Sequence, residues 1–291
     1  SKGITNYIID SKNNYKDYIY TTQINENIDV LPSGDIPPNP SELLMSEKVD
    51  SLFSELKQIY DISGLKLKFG SKKALEINTL KFHNGLIYGV CGNFGSGKSS
   101  LMKVLSGLQK ESKGDVLYQG SPCKTSFFGN IKKHKEIQYI HVDMFNDFSS
   151  YLKRNSTVEQ FLKGMFSAKI NQIRTRHFKH FSLEHLWKTP INKLSDGEKH
   201  WLKIVVGVEK DPRVLLVDDY GLHLDPKYEM ILRKRLVKMN NILGTTIILS
   251  STSDYFLKQF ANVVIYLDNG HVSKVRKGYK RNSFNKHKRK K

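Results

Sequence analysis

Short apolar runs that alternate with longer amphipathic stretches dominate residues 62–275. The runs are rich in Val, Ile and Leu and too short for helices, which is typical of buried strands in a parallel sheet. Strands that alternate with helices predict an α/β fold, and Asp268-Asn269-Gly270 predicts the turn of a closing hairpin. The predicted strands are 62–69, 74–82, 86–91, 137–142, 213–217, 245–250, 263–267 and 271–275; the predicted helices are 41–60 with Ser41 as N-cap, 98–108 and much of 143–193.

Charge divides the chain into three parts. The 291 residues carry a net charge of +19, with 38% hydrophobic and 26% charged residues. Residues 1–61 hold five Lys/Arg and ten Asp/Glu, whereas residues 274–291 hold ten Lys/Arg and no acid. We therefore expect an acidic head (1–61), a basic body (62–275) and a basic, disordered tail (276–291). For the tail, the sequence leaves open a solvated terminus, binding to an anionic membrane surface through 274–291, and the less favoured binding to nucleic acid.

The sequence also bounds the cellular context. We find no apolar run of about 18 residues, so any membrane-spanning part is expected on a separate chain. We find no secretory signal, and the two cysteines, Cys91 and Cys123, give no disulfide framework. These features predict a cytoplasmic protein that works peripherally at the inner face of a membrane.

A glycine-rich loop follows the predicted strand 86–91 and opens the predicted helix 98–108. It matches G-x-x-x-x-G-K-[ST], in which glycines let backbone N–H groups surround phosphates at a helix N-terminus. In this pattern the lysine, Lys98, reaches the β- and γ-phosphates, and the hydroxyl of Ser99 binds Mg²⁺. The expected nucleotide contacts are Gly92, Asn93, Phe94, Gly95, Ser96, Gly97, Lys98, Ser99 and Ser100.

An acidic pair follows the apolar strand 213–217. The strand delivers Asp218 to the Mg²⁺ shell, and Asp219 is placed to act as general base on the attacking water. Beside the phosphate loop, this pair predicts a P-loop nucleoside triphosphatase (NTPase) that uses ATP and Mg²⁺.

The order of further motifs narrows the class. Leu194-Ser195-Asp196-Gly197-Glu198-Lys199, just before the acidic strand, resembles the LSGGQ signature of ATP-binding cassette (ABC) proteins, and 222–225 resembles their D-loop. This resemblance covers about 62–275. It implies an ABC-type nucleotide-binding domain with a mostly parallel sheet, an antiparallel β edge and a helical subdomain.

The resemblance also implies partners. Two cassettes are expected to meet head to tail, as a homodimer or heterodimer, with Ser195 and the Gly197 N–H contacting the γ-phosphate held by the partner. A membrane permease subunit is the other expected partner. Phe69 lies where the family places an aromatic residue that stacks on adenine, although simple strand packing explains it equally well.

Several positions depart from the family pattern. The catalytic glutamate is Asp219, whose reach is shorter by about 1 Å, and misplacement on that scale can cost on the order of 10²-fold. Thr252 stands at the switch histidine; it can hydrogen-bond phosphate but cannot carry a positive charge. Val142 aligns with the Q-loop glutamine, with His141 or Asp143 as alternatives. We therefore expect ATP binding with slow hydrolysis.

The head resembles a different family. Segments 3–8, 28–34, 36–44 and 56–61 resemble bacterial capsular-polysaccharide tyrosine kinases, but the P-loop of such a kinase would lie before Ser1, and the C-terminal tyrosine cluster is missing from the head. The head is thus expected to be an incomplete fold. A fusion, truncation or assembly error, an adaptor for polysaccharide export, and an engineered chimera remain alternatives.

The sequence-based prediction is therefore the ATPase subunit of an ABC transporter, with surface polysaccharide or lipid export suggested only by the head. The alternative is a non-transport cassette that binds RNA or ribosomes under nucleotide control. Kinase activity from the head is the least favoured interpretation.

Overall fold

The computed structural model describes residues 2–9, 15–21, 29–37, 43, 46–122, 134–145, 155–179, 183–222 and 224–278. Contacts within the chain divide it into two compact units, Ser1–Gln58 and Ile59–Lys291. Among the described residues, no helix is long and apolar enough to cross a bilayer.

The smaller unit contains short elements around a small apolar cluster. Tyr7, Tyr18 and Leu52 are buried together, and the two tyrosine rings meet edge to face with centroids 6.1 Å apart. Its elements are α1 (Ile4–Ile9), a 3-10 helix (Tyr15–Tyr18), the antiparallel pair β1 (Tyr20–Thr21) and β2 (Asp29–Val30), and α2 (Glu47–Leu56).

The larger unit is built from two sheets and a helical layer. Its strands are β3 (Gln58–Phe69), β4 (Lys72–His83), β5 (Ile87–Cys91), β6 (Lys113–Tyr118), β7 (Ser121–Pro122), β8 (Ile137–Ile140), β9 (Val214–Val217), β10 (Thr246–Ser251), β11 (Val263–Asp268) and β12 (His271–Lys277). Its helices are α3 (Lys98–Leu105), α4 (Val158–Phe166), α5 (Ile170–Ile173), which continues as a π-helix (Arg174–Phe178), α6 (Asp196–Glu209) and α7 (Pro226–Leu243). Short 3-10 helices lie at Ser167–Lys169, Glu184–Lys188, Ile191–Lys193 and Leu257–Gln259.

The central sheet has six strands in the order β12-β11-β5-β10-β9-β8. All neighbouring pairs are parallel except β11 and β12. β5, β9 and β10 are buried along their whole length. A strand that is covered on both faces needs a continuous apolar run, which is the pattern that predicted these strands. The fold is thus the predicted α/β type.

The second sheet and the helices cover the two faces of the central sheet. The four-stranded sheet has the order β4-β3-β6-β7 and forms one core with β5 and α3. The other core joins α4, α6 and α7 to the opposite face. The antiparallel β edge and the helical layer agree with the expected architecture.

The closing hairpin has the predicted turn and also contacts the body of the unit. Asn269 and Gly270 have φ of 47° and 82°, which connect β11 to β12. The Gly270 N–H donates to the Ser96 carbonyl (3.0 Å), and the Gly270 carbonyl accepts from the Glu76 N–H (2.8 Å). The hairpin turn therefore joins the phosphate loop to β4.

The predicted helix over 41–60 is wrong at its end. α2 stops at Leu56, and Ile59 and Tyr60 are fully buried in β3. The Tyr60 hydroxyl donates to the Leu105 carbonyl at 2.9 Å. The prediction therefore extended the helix over two apolar residues that keep the helical spacing but are buried in a strand. The proposed N-cap, Ser41, lies outside the described residues.

Other boundaries also moved. β8 ends at Ile140, so Val142 lies in a 3-10 turn instead of the predicted strand. α3 ends at Leu105, before the turn at Gly107 (φ 72°), instead of at 108. β12 runs to Lys277, two residues into the region predicted as a disordered tail; residues 279–291 lie outside the described part, as does Cys123. β6 and β7 were not predicted, because their outward positions make the segment polar.

A buried carboxylate connects the helical layer to the end of α6. Glu209 is 2% exposed, and its oxygens lie 2.7 Å from His177 Nε2, 3.2 Å from Arg176 and 3.7 Å from Lys169. Arg235 lies 2.8 Å from His177 Nδ1, and since arginine can only donate, the Nε2–H of His177 donates to Glu209. Burial alone would raise the pKa of Glu209, but His177, Arg176 and Lys169 outweigh burial and lower it.

We predict that Glu209→Ala lowers the free energy of unfolding by about 2 kcal/mol, because it leaves the buried imidazole of His177 without its hydrogen-bond acceptor. The measurement is urea unfolding at pH 7. Glu184→Ala, at an exposed glutamate of the same layer, should change stability by less than about 0.5 kcal/mol.

The parent protein and Glu209→Ala should also differ in how their stability responds to acid. Because the folded pKa of Glu209 is depressed, its contribution is present above the ordinary glutamate pKa of about 4.3 and is lost as pH falls through the folded value. The difference in the free energy of unfolding between the parent protein and Glu209→Ala should therefore narrow below about pH 4. Equal free energies of unfolding of the parent and Glu209→Ala at pH 7 would contradict this role of Glu209.

Candidate nucleotide site

The glycine-rich loop at 92–99 connects β5 to α3, as predicted. Gly95 and Gly97 have φ of 76° and 102°, a region that glycine enters without steric cost. A Cβ at Gly97 would lie 2.8 Å from Leu75 Cδ2 and 2.9 Å from the Ala74 carbonyl oxygen. Backbone conformation and packing therefore both require glycine at position 97.

Lys98 lies inside the curve of this loop. Its Nζ donates to the carbonyls of Gly92 (2.7 Å) and Asn93 (2.8 Å), and it lies 3.5 Å from Ser96 Oγ. Burial lowers the pKa of Lys98, and the charges of Asp219 and Asp218 oppose that shift. The ammonium group is thus held at the centre of the loop, facing the acidic pair.

The remaining loop residues differ in exposure. Ser96 is buried, with its N–H donating to the Asn93 carbonyl at 3.2 Å. Phe94 projects into solvent with 82% exposure. The side chains of Asn93 and Ser99 are exposed, whereas Ser100 is half-buried. The hydroxyl of Ser99 is therefore accessible at the start of α3.

The acidic pair follows β9, as predicted, and the two acids have different environments. Asp218 is 9% exposed, while Asp219 is half-buried with φ of 52°. A positive φ is uncommon for residues other than glycine, but aspartate tolerates it better than most.

Two residues that the sequence did not indicate hold this pair. The Ser250 hydroxyl donates to Asp218 Oδ1 and accepts from the Asp219 N–H at 3.0 Å. The Tyr139 hydroxyl donates to Asp218 Oδ2 at 3.0 Å. Burial and the Asp218 charge raise the pKa of Tyr139, so this tyrosine remains a donor. Both residues lie on strands next to β9, so only the sheet order could have identified them.

One cavity of about 420 Å³ brings the loop and the acids together. Ser99, Asp218 and Asp219 line it. A serine hydroxyl and a carboxylate, with room for water, are oxygen donors of the kind that Mg²⁺ uses beside a phosphate. The donor set therefore fits the magnesium ion that the loop implies. The other residues that line the cavity are Lys103, Tyr139, His141, Val142, Asp143, Asp196, Lys199, His200 and Lys203.

Thr252, predicted at the switch position, lies beside the start of the loop. It follows β10, whose last residue, Ser251, is opposite Cys91 in the parallel register. The Gly92 N–H donates to the Ser251 carbonyl at 3.3 Å. The Cys91 thiol donates to the Thr252 carbonyl at 3.8 Å, so Thr252 is held at the same sheet edge as the loop.

Phe69, the candidate for adenine stacking, ends β3 and is 50% exposed. It does not line the 420 Å³ cavity. Its ring is therefore available to a ligand from solvent, but the structure does not bring it into the cavity with the acids.

The signature turn lies at the start of α6, and its Asp196 and Lys199 line the 420 Å³ cavity together with Ser99. Ser195 caps α6: its hydroxyl accepts from the Glu198 N–H (3.3 Å) and donates to Glu198 Oε2 (2.8 Å). Asp196 is exposed and pairs with Lys199 at 3.6 Å. Ser195 and Gly197 line a separate cavity of about 290 Å³. The signature is thus presented outward at a helix N-terminus.

The segment that aligns with the Q-loop also enters the larger cavity. Val142 is 80% exposed. The ring of His141 stacks on Tyr139 with centroids 4.8 Å apart, and Asp143 is exposed. Val142 has no polar side chain, so His141 and Asp143 are the polar side chains of this segment that line the cavity.

Comparisons with known proteins show the family. The family described as ABC transporter matches residues 75–220. The tungstate uptake ATP-binding protein of Peptoclostridium acidaminophilum is 27% identical over 218 residues, covering 74% of this chain and 96% of that protein. A putative ABC transporter ATP-binding protein of Clostridium perfringens is 30% identical over 204 residues, covering 68% and 70%. A methionine import ATP-binding protein of Bacillus subtilis is 28% identical over 216 residues, but this chain spans only 63% of its length.

Solved structures have the same fold. The cbiO1 subunit of the Clostridium perfringens cbiONQ transporter gives a TM-score of 0.63 at 24% identity, covering 76% of this chain and 89% of that one. A dimeric ATP-binding cassette in a post-hydrolysis state with ADP and Pi gives 0.61 at 19% identity, covering 75% and 98%.

The phosphate loop, the acidic pair and the signature occur in family order on the family's fold, and the family match spans half of the chain. The chain therefore belongs to the ABC transporter family and is an ATP-binding ATPase subunit that uses MgATP.

Proposed function

We propose that Lys98, Ser99, Asp218 and Asp219 form the MgATP site of a transporter motor with slow turnover. The observation that carries this proposal is the single cavity that places Ser99, at the start of α3, together with both acids at the end of β9. Coupling of hydrolysis to transport then needs a second cassette and a permease, which the family resemblance implies.

The loop and Asp218 have separate tasks in this proposal. The N–H groups of the loop and of the first turn of α3 bind the phosphates. Lys98 exchanges its bonds to the loop carbonyls for the β- and γ-phosphate oxygens. Ser99 and Asp218 would hold Mg²⁺, which neutralises charge on the transferred phosphoryl group.

Asp219 is the proposed general base and the reason for slow turnover. It is one methylene shorter than the family's glutamate, and its N–H bond to Ser250 fixes its backbone. A base held short of its ideal position loses efficiency steeply with distance. Thr252, beside the loop, offers the γ-phosphate a hydroxyl where the family has an imidazole.

The signature turn supports a head-to-tail partner. Ser195 and Asp196 are exposed, and the N–H groups at the start of α6 point away from the body of the helix. Such a helix end attracts an anion that another molecule carries. We therefore assign Ser195 and Gly197 to the γ-phosphate held by the second cassette.

The names of the relatives bear on the direction of transport. The tungstate and methionine proteins named above serve uptake, which favours import over the export that the head suggested. Polysaccharide export stays a prediction, because only the kinase-like pattern of residues 1–61 supports it. An inner-face location follows if a permease holds the subunit, and the exposed Lys274, Arg276 and Lys277 of β12 would add attraction to anionic lipid.

We predict that Lys98→Ala weakens ATP binding at least tenfold and abolishes turnover, because the loop loses its only lysine contact to the phosphates. Nucleotide binding and phosphate release by the full chain measure this. Lys110→Ala, at an exposed lysine beyond α3, is the control. Retained turnover in Lys98→Ala, with an unchanged melting temperature, would show that the ATPase activity comes from elsewhere.

For Asp219 we expect opposite effects of two substitutions. Asp219→Asn should abolish turnover while ATP still binds, because an amide cannot accept the proton. Asp219→Glu should raise kcat about tenfold, because the longer side chain brings the carboxylate closer to the attacking water. The gain is limited because glutamate tolerates the positive φ at this position less well than aspartate. Single-turnover phosphate release tests both. Turnover by Asp219→Asn at the parent rate would exclude Asp219 as base.

Ser250→Ala should raise the Mg²⁺ concentration for half-maximal ATP binding by about tenfold, because groups that orient a metal ligand typically contribute 10–100-fold. Tyr139→Phe should act in the same direction. Ser273→Ala, which removes an exposed hydroxyl bonded to the Tyr266 carbonyl, is the control. Equal Mg²⁺ dependence of the Ser250 variant and this control would contradict the orienting role.

A further inference from the structure

Lys203 is a buried cation in the middle of α6, the helix that begins at the signature turn. It is 8% exposed, and its Nζ donates to the Val142 carbonyl. The same Nζ lies 5.3 Å from the centroid of the Phe145 ring. Burial of an ammonium group is unfavourable unless its partners compensate for lost water. A carbonyl and an aromatic face supply that compensation here.

The contact joins α6 to the short segment 141–145. Within this segment, Met144 is buried in the core, and its N–H donates to the His141 carbonyl at 3.2 Å. Phe145 packs edge to face on Phe161 of α4, with centroids 5.9 Å apart. Lys203 therefore fixes a segment that is itself anchored in the helical layer.

The other side of the segment faces the nucleotide site. It follows β8 directly, and Tyr139 of that strand bonds to Asp218. Lys203, Ser99 and Asp218 line the same 420 Å³ cavity. The segment 141–145 thus lies between the acids that face MgATP and the helix that carries the signature.

We propose that Lys203 is a positioning residue of the ATPase cycle. It ties segment 141–145 to α6, so that a change at the nucleotide site moves the segment and the signature turn together. The side chain at position 142 is an apolar valine, so the link uses the main-chain carbonyl. The inference rests on the proposed MgATP site and concerns coupling within it.

Charged side chains of both elements lie near Lys203. Burial lowers the pKa of Lys203 and Lys199 adds to that effect, while Asp143 and Asp196 oppose it. A charged amine donates a stronger hydrogen bond than an uncharged one. Replacement of Lys203 by a side chain of similar length that has no donor is the direct test of the tether.

The test compares Lys203→Met, Lys203→Arg and the control Lys238→Met in the full chain. Lys238 is an exposed lysine of α7 and lines neither of the two cavities. We expect Lys203→Met to lower kcat about tenfold with KM for ATP changed less than about twofold, since a hydrogen bond to a charged group is worth roughly that factor or more. Lys203→Arg should keep most of the turnover, and Lys238→Met should match the parent.

Hydrogen exchange of amides 143–145 and 197–199 provides a readout that needs no turnover. In the parent, ATP should slow exchange in both segments together; in Lys203→Met it should slow one without the other. Without nucleotide, exchange at 143–145 should be faster in Lys203→Met than in Lys238→Met. This last comparison holds even if ATP does not bind, so failure of the proposed MgATP site and failure of the tether are distinguishable.

Two outcomes would overturn the proposal. One is that Lys203→Met and Lys238→Met are indistinguishable in kcat and in exchange. The other is that Lys203→Met and Lys203→Arg lose melting temperature and turnover equally, which would make Lys203 a packing residue without a role in coupling.

Discussion

The parallel register of the central sheet is the constraint on which the site depends. β5, β8, β9 and β10 run in one direction, with Ser251 opposite Cys91 and Ile140 opposite Val217. Their carboxyl ends therefore meet at one edge, where ligands bind in open α/β sheets. Segments that are far apart in sequence, the phosphate loop among them, become neighbours only through this alignment. The apolar runs that made the strands visible in the sequence also fix that alignment, because both faces are buried.

The predictability of the molecule follows from the range of the interactions involved. The phosphate loop, the acidic pair and the closing hairpin are local patterns, so the sequence indicated their residues and the strands and helices that flank them. The sequence did not indicate Ser250, Tyr139 and Lys203, because each acts on a residue more than 30 positions away. The partners of these side chains are set by strand order and helix packing, which periodicity does not encode.

Local propensity also failed where tertiary packing competed with it. Ile59 and Tyr60 continue the helical spacing of α2, yet they are buried in β3 because the second sheet offers them a complete apolar environment. The polar β6 was missed for the converse reason, since only its inward positions contact the core. At each of the three positions that depart from the family pattern, 142, 219 and 252, a main-chain atom accepts or donates a hydrogen bond. Ser250 joins the two acids, and Lys203 binds the carbonyl at 142.

The hairpin turn at Gly270 has a consequence for the order of folding. Its N–H and carbonyl bind Ser96 and Glu76, and a Cβ at Gly92 would meet the Leu267 carbonyl oxygen at 2.4 Å. One wall of the phosphate loop is thus made by residues synthesised some 170 positions later. A nascent chain that has passed residue 100 carries the whole loop sequence but not the surface that shapes it. Nucleotide affinity is therefore a property that the chain acquires only after residue 270 has been made, and a product interrupted before that point would bind ATP weakly.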